Sequence, residues 1–168
     1  MEMIVNKVAE SGIITLDLSQ YIPKDEKIGA FDLKPFLFKE MILREKDFRA
    51  ALLNFDWQQY SEKQVAIFCS VDAIIPIWAY MLVASYLQPV STSVFLGTTD
   101  LLKKEKLLEN LRQIETQQFL DKRVVIKGCG EISIPDEAYV EITAKLRPFV
   151  KSLMYGEPCS TVPIFKRR

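Results

Sequence analysis

The stretch Arg123-Val-Val-Ile-Lys127-Gly-Cys129-Gly130 sets the fold class of this chain. A β-branched strand runs straight into two glycines that flank a thiol, and α/β proteins place their ligands beyond such strand ends. Val65-Ala-Ile-Phe-Cys69-Ser70 has the same form. The pair of runs predicts two thiols, Cys69 and Cys129, on the same edge of one sheet.

Outward from these runs, strand and helix alternate from residue 64 onward. Val65–Cys69 reads as a strand, Ile75–Leu87 as a helix, Ser93–Leu96 as a strand and Asp100–Ile114 as an amphipathic helix with Leu101, Leu107, Leu108, Leu111 and Ile114 on its inner side. After the strand Arg123–Lys127, apolar residues at helical spacing predict a helix over Asp136–Met154, with Pro135 at its start and a kink or break at Pro148. Thr161–Phe165 reads as a last short strand, placed on an edge because Pro163 cannot donate to a ladder. Strands joined through helices need crossover connections, so the expected fold is α/β, a largely parallel sheet of about four strands with helices on its faces.

The first sixty residues are less regular. Ile13–Leu18 alternates as a strand, Ile28-Gly-Ala-Phe supplies another, Asp47–Phe55 looks helical, and Asp56–Ser61 reads as a polar link. This predicts one domain over 1–168, with an irregular α+β extension, 1–60, packed on an α/β core, 61–168. No internal repeat or low-complexity segment is read from the chain.

With 168 residues and 49% hydrophobic content the chain can bury a real core. Twenty-two basic and twenty-two acidic residues cancel, so no overall field draws nucleic acid or an anionic membrane. The uncharged segment Ala73–Val90 leaves a helix of about a dozen residues between Pro76 and Pro89, too short to span a bilayer. Its apolar residues run round most of its circumference, so something should cover its far side: the N-terminal segment or a second subunit, giving a homodimer through Ile75–Leu87. Met1–Lys7 lacks the pattern of a secretory signal, and three widely spaced cysteines make no disulfide framework, so the expected compartment is the cytoplasm.

There is no histidine, which removes Ser-His-Asp and Cys-His nucleophile pairs and histidine-ligated zinc. No CxxC pair is present, and no metal or other cofactor is expected. What remains lies at three strand ends: Cys69, Ser70 and Asp72; Thr98, Thr99 and Asp100; Lys127, Cys129 and Glu131. A thiol there would act as thiolate, with Cys129 as nucleophile and Lys127 and Glu131 beside it. Each residue also has an ordinary reading. Cys69 suits a core, the threonines and aspartates suit helix caps, and Lys127 suits a strand's solvent side. Gly128-Cys-Gly130 lacks the spacing of a phosphate loop. A helix through Met154 would carry Tyr155–Ser160, Cys159 included, to the opposite edge of the sheet.

Three strings, Cys69-Ser-Val-Asp-Ala-Ile-Ile-Pro-Ile-Trp-Ala-Tyr-Met-Leu82, Lys127-Gly-Cys129 and Lys151-Ser-Leu-Met-Tyr-Gly-Glu-Pro-Cys-Ser-Thr-Val-Pro-Ile164, resemble an uncharacterised Bacteroidetes family, domain of unknown function 2480. The resemblance runs over most of the chain. It implies a small cytoplasmic bacterial protein and, through genes that neighbour the family, iron–sulfur assembly proteins as partners. It implies no activity and no catalytic residues.

Two expectations compete. In the favoured one the protein is an interaction or accessory module and not an enzyme, binding through Ile75–Leu87, Trp78, Tyr80, Tyr86 and the Tyr155–Ser160 loop, with Tyr155 and Glu157. In the other, Cys129 with Lys127 and Glu131 handles sulfur. A third, a small-molecule-binding domain, uses the same strand-end crevice without thiol chemistry.

Overall fold

The run that sets the class is a strand, Arg123–Lys127, and its three central residues are fully or almost fully buried. The computed structural model describes residues 12–128, 130–157 and 159–168. The described strands are β1 Ile13–Leu16, β2 Ile28–Asp32, β3 Gln64–Phe68, β4 Ser93–Leu96, β5 Arg123–Lys127, β6 Ser152–Glu157 and β7 Ser160–Lys166. The helices are α1 Glu45–Leu53, α2 Ile77–Leu87, α3 Thr99–Arg112 and α4 Asp136–Leu146. The mixed α/β class, with a mostly parallel sheet of four strands, is as expected.

The strands form two sheets, however, in orders β1-β5-β6-β7 and β2-β3-β4. All pairings are parallel except β6 with β7. The chain divides into two compact units, one taking in the chain through Ile22 together with Lys106–Arg168, the other Pro23–Glu105. The N-terminal sixty residues therefore give a strand to each sheet: β1 pairs with β5, and β2 pairs with β3. The strands ending near Cys69 and Cys129 do not share a sheet, which corrects the single-edge arrangement.

The two units are built alike. Each sheet begins with a strand that leads into aspartate, Leu16-Asp17 just past the end of β1 and Phe31-Asp32 at the end of β2, then a buried leucine, Leu18 or Leu33, at the start of a 3-10 turn. Then come a helix (α1, or the second half of α3), a 3-10 turn (Trp57–Tyr60, Thr116–Phe119), a strand (β3, β5), a helix (α2, α4) and a strand (β4, β6). From α1 to Gly97 and from α3 to Gly156 the two sequences run in register without insertion or deletion. Identical residues stand at Leu52 and Leu111, Val65 and Val124, Ile67 and Ile126, Pro76 and Pro135, Ala79 and Ala138, Leu87 and Leu146, Pro89 and Pro148, Gly97 and Gly156.

The backbone repeats too. Pro76 and Pro135 cap α2 and α4, each accepting the amide of the residue three on, at 3.0 Å in both units. Glu62 and Asp121 both take left-handed φ, 59° and 56°, and their amides donate to Val90 and Phe149. Gly97 follows the end of β4 and Gly156 is the penultimate residue of β6, with φ of 145° and 123°, a region that glycine alone enters without a steric cost. So the chain does hold an internal repeat, and the expectation of none is corrected.

The repeat also explains the misread helix. Pro148 ends α4 just as Pro89 ends α2, because proline cannot continue the ladder, and Leu153, which fits a helical period, and Tyr155, expected at the helix's end, lie in β6. Thr161–Phe165 lies within β7, an edge strand as expected. Asp56–Ser61 is no polar link: Tyr60 is buried with its hydroxyl donating to the Ala30 carbonyl, and the Trp57 indole donates to the Leu52 carbonyl.

Each unit has its own core. In the first, Leu16, Leu18, Leu107, Leu111, Val124, Ile126, Ala138, Ile142 and Leu146 pack together. In the second, aromatic rings take over, with Phe31 stacked on Phe36 and Trp57 and with Trp57 stacked on Tyr86. Burying one such side chain contributes roughly 1.5–3 kcal/mol.

Candidate functional site

In the first unit the carboxyl ends of the parallel strands β1, β5 and β6 open into a cleft of about 630 Å³. This is where an open parallel sheet leaves room for a ligand. Asp17 and Ser19 come from the turn after β1, Lys127 and Gly128 from the end of β5, Glu131 and Ser133 from the following loop, Asp136 and Tyr139 from α4, and Tyr155 from β6. Lys127 and Asp17 form an ion pair at 3.2 Å, and Asp17 also accepts the hydroxyl and amide of Ser19. The Ser19 hydroxyl, with the Ser19 amide and Lys127 helping, holds the Asp17 carboxyl below its ordinary range against the opposing effect of burial.

Tyr155 and Tyr139 meet edge to face, ring centres 5.6 Å apart, and the Tyr155 hydroxyl donates to the Gly128 carbonyl at 3.1 Å. Gly128 is required for that approach: a Cβ there would lie 2.6 Å from the tyrosine ring. Of the predicted residues, Lys127, Glu131 and Tyr155 meet in this cleft, while Cys129 lies outside the described residues. Glu157 ends β6, paired across the hairpin with Ser160. Because β6 runs parallel to β5, Tyr155 and Gly156 lie beside Ile126 and Lys127, at the carboxyl end and not the amino-terminal edge. Cys159 is exposed at the β6–β7 turn.

The remaining predicted residues belong to the second unit. Cys69 packs on the edge of its core. Ser70 donates its hydroxyl and amide to Asp32, the counterpart of Asp17. Burial pushes the Asp32 carboxyl up, but the Ser70 and Lys34 donors and the Lys34 charge outweigh it and leave the group below its ordinary range. Thr98 caps α3 by accepting the Leu101 amide, Thr99 opens that helix, and Asp100 sits in its first turn. Trp78 packs against the Phe48 ring under the Arg49 guanidinium.

Asp72 opens onto a different feature, a groove of about 470 Å³ lined by Met41, Ile42, Leu43, Ala73, Ile74 and Pro76. Met41 and Ile42 are presented by a tight turn whose residues Lys39 and Glu40 both have left-handed φ. Ile74, which lines the groove just before α2, and Ile77 and Met81 on the outside of that helix make an exposed apolar stripe, with Ile74 92% and Ile77 66% exposed. The inner side of the same helix, Ala79, Val83 and Leu87, is fully buried. The sequence flagged the helix but not Met41, Ile42 or Ile74, and in the cleft it missed Asp17, Ser19, Asp136 and Tyr139. The signal for Asp17 was its place at a strand end, masked by reading the strand on to Leu18.

Among the described residues no helix is long and apolar enough to cross a membrane. The family model described as "Protein of unknown function (DUF2480)" matches residues 2–167, and the chain belongs to that family. No curated protein and no solved structure matches it.

Proposed function

We infer that the protein is an interaction module, an accessory protein and not an enzyme, whose docking surface is the apolar stripe Ile74, Ile77 and Met81 with the neighbouring groove. One observation carries this reading. At the same positions of the first unit stand Ser133, Asp136 and Val140, before and along a helix with the same proline N-cap, the same length and an equivalent buried face. The fold therefore does not need isoleucine at 74 and 77, and large exposed apolar residues that folding does not need mark a surface that is covered in use.

The occupant is a second copy of the chain. From Ile77 to Leu87 the helix carries no charge, so two copies meet there without like-charge repulsion, and a ridge beside a groove on one surface is what a two-fold contact uses. An accessory role beside iron–sulfur assembly proteins in the cytoplasm is what the family resemblance implies, with the dimer as the docking species.

Sedimentation velocity over a concentration series tests this. The reading expects a dimer that dissociates on dilution and an Ile77→Asp variant that stays monomeric with an unchanged circular dichroism spectrum. A wild-type chain that is monomeric at every concentration, or a variant that still dimerises, contradicts it. Co-sedimentation with cluster-assembly proteins then tests the accessory role.

A further inference from the structure

The same repeat isolates what is special at the strand ends of the first unit. Several buried positions agree between the copies, as Val65 with Val124 and Ala79 with Ala138 illustrate. Around the cleft they part: Phe68, Ile74, Ile77 and Leu96 of the second unit correspond to Lys127, Ser133, Asp136 and Tyr155 of the first. Four apolar positions have polar counterparts, all lining one cavity, while the order of strands and helices beneath is the same.

The chemistry of the lining names a ligand class. Among the described residues its one cation, Lys127, is engaged by Asp17. Two further carboxylates, Glu131 and Asp136, are exposed to the cleft, and no cation among the described residues pairs with either. The described lining is thus net acidic, and the tyrosine pair Tyr139–Tyr155 adds ring faces, over which an organic cation is favoured. An anionic ligand would meet three carboxylates and displace the lysine from its partner.

We propose that this cleft binds a small organic amine, its ammonium held by Glu131 and Asp136 and its carbon skeleton laid against Tyr139 and Tyr155. The site lies wholly in the first unit and is independent of the docking surface on α2. Binding requires no covalent step.

Two-dimensional amide NMR of the full chain tests it, with putrescine and benzylamine as probes and succinate as a length-matched anion. Millimolar amine is expected to shift the signals of Gly130–Tyr139 and Tyr155 in a saturable, salt-sensitive way, with succinate inert. The double variant Glu131→Gln/Asp136→Asn should weaken amine binding by about tenfold or more. These residues are exposed, and an unchanged melting temperature certifies the fold. Neither amine shifting these signals, succinate binding as well as the amines, or full affinity in the folded double variant would each overturn the proposal.

Discussion

The helices α2 and α4 occupy the same place in two copies of one scaffold, and they differ mainly on their outward sides. Both start at a proline, run eleven residues, end before a second proline and bury alanine, a β-branched residue and leucine at equal spacing. Outside, α2 shows Ile77 and Met81 while α4 shows Asp136 and Val140. What the two share is what folding needs, and what separates them is free to serve binding. The comparison acts as an internal control that a single unit could not supply.

The largest expected effects come from breaking the shared part. Leu87→Ala and Leu146→Ala remove equivalent, fully buried side chains and should each cost about 2–5 kcal/mol, the same for both within about 1 kcal/mol. Urea denaturation of the two variants checks this. Tolerance of one and not the other would show that the copies no longer have equal cores.

Next come the closing glycines. A Cβ on Gly156 would meet the Ser160 carbonyl oxygen at 2.5 Å, whereas one on Gly97 would meet the edge of the Phe95 ring at 2.7 Å. Both alanine variants put a side chain at positive φ, at about 1–3 kcal/mol each. Gly156→Ala should lose more, since a backbone oxygen cannot turn aside as a ring can. Equal melting temperatures would refute that ordering.

The paired aspartates give a pH dependence. Asp17 and Asp32 have carboxyls lowered in the folded chain, so their stabilising contribution is present above the unfolded value of roughly 3.9 and is lost as pH falls through the lower folded values. Melting temperature should therefore drop below about pH 4, and Asp17→Asn or Asp32→Asn should each flatten part of that drop. An acid limb unchanged in both variants would remove the aspartates from the account. The smallest effect belongs to Glu62→Gly and Asp121→Gly, where relief of left-handed strain and lost chain entropy nearly offset, leaving a change within about 1 kcal/mol in the same direction for both.

Much of the fold was legible in the sequence because β-branched runs and prolines are local signals. Arg123–Lys127 and Ser93–Leu96 are strands with the predicted ends, and α2 begins two residues later than predicted. The repeat was not legible, for a physical reason. Many of its identities fall on buried aliphatic, proline and glycine positions, which any pair of βα units shares, and the rest, such as Gln58 with Gln117 and Lys63 with Lys122, are scattered. Pro89 was read as a stop and Pro148 as a kink in an otherwise identical setting, because Phe149, Val150 and Leu153 continue a helical period by chance. The division into two sheets depends on β1 and β2 pairing with strands far along the chain, and no local pattern encodes that choice. For the candidate site, strand-end position points to Lys127 and Glu131, whereas Tyr155 reads as part of a loop on the opposite edge and Asp136 and Tyr139 read only as ordinary residues of a helix.

The central claim, that the apolar stripe on α2 is not required for folding, is tested most directly by exchanging the two outer residues. Unfolding free energies of Ile77→Asp and Asp136→Ile would be measured by urea denaturation at concentrations low enough to keep the chain monomeric. The account predicts that both stay within about 0.5 kcal/mol of wild type, as exposed positions do. A loss of several kcal/mol in Ile77→Asp alone would contradict it, because Ile77 would then belong to the fold and not to a surface kept for a partner.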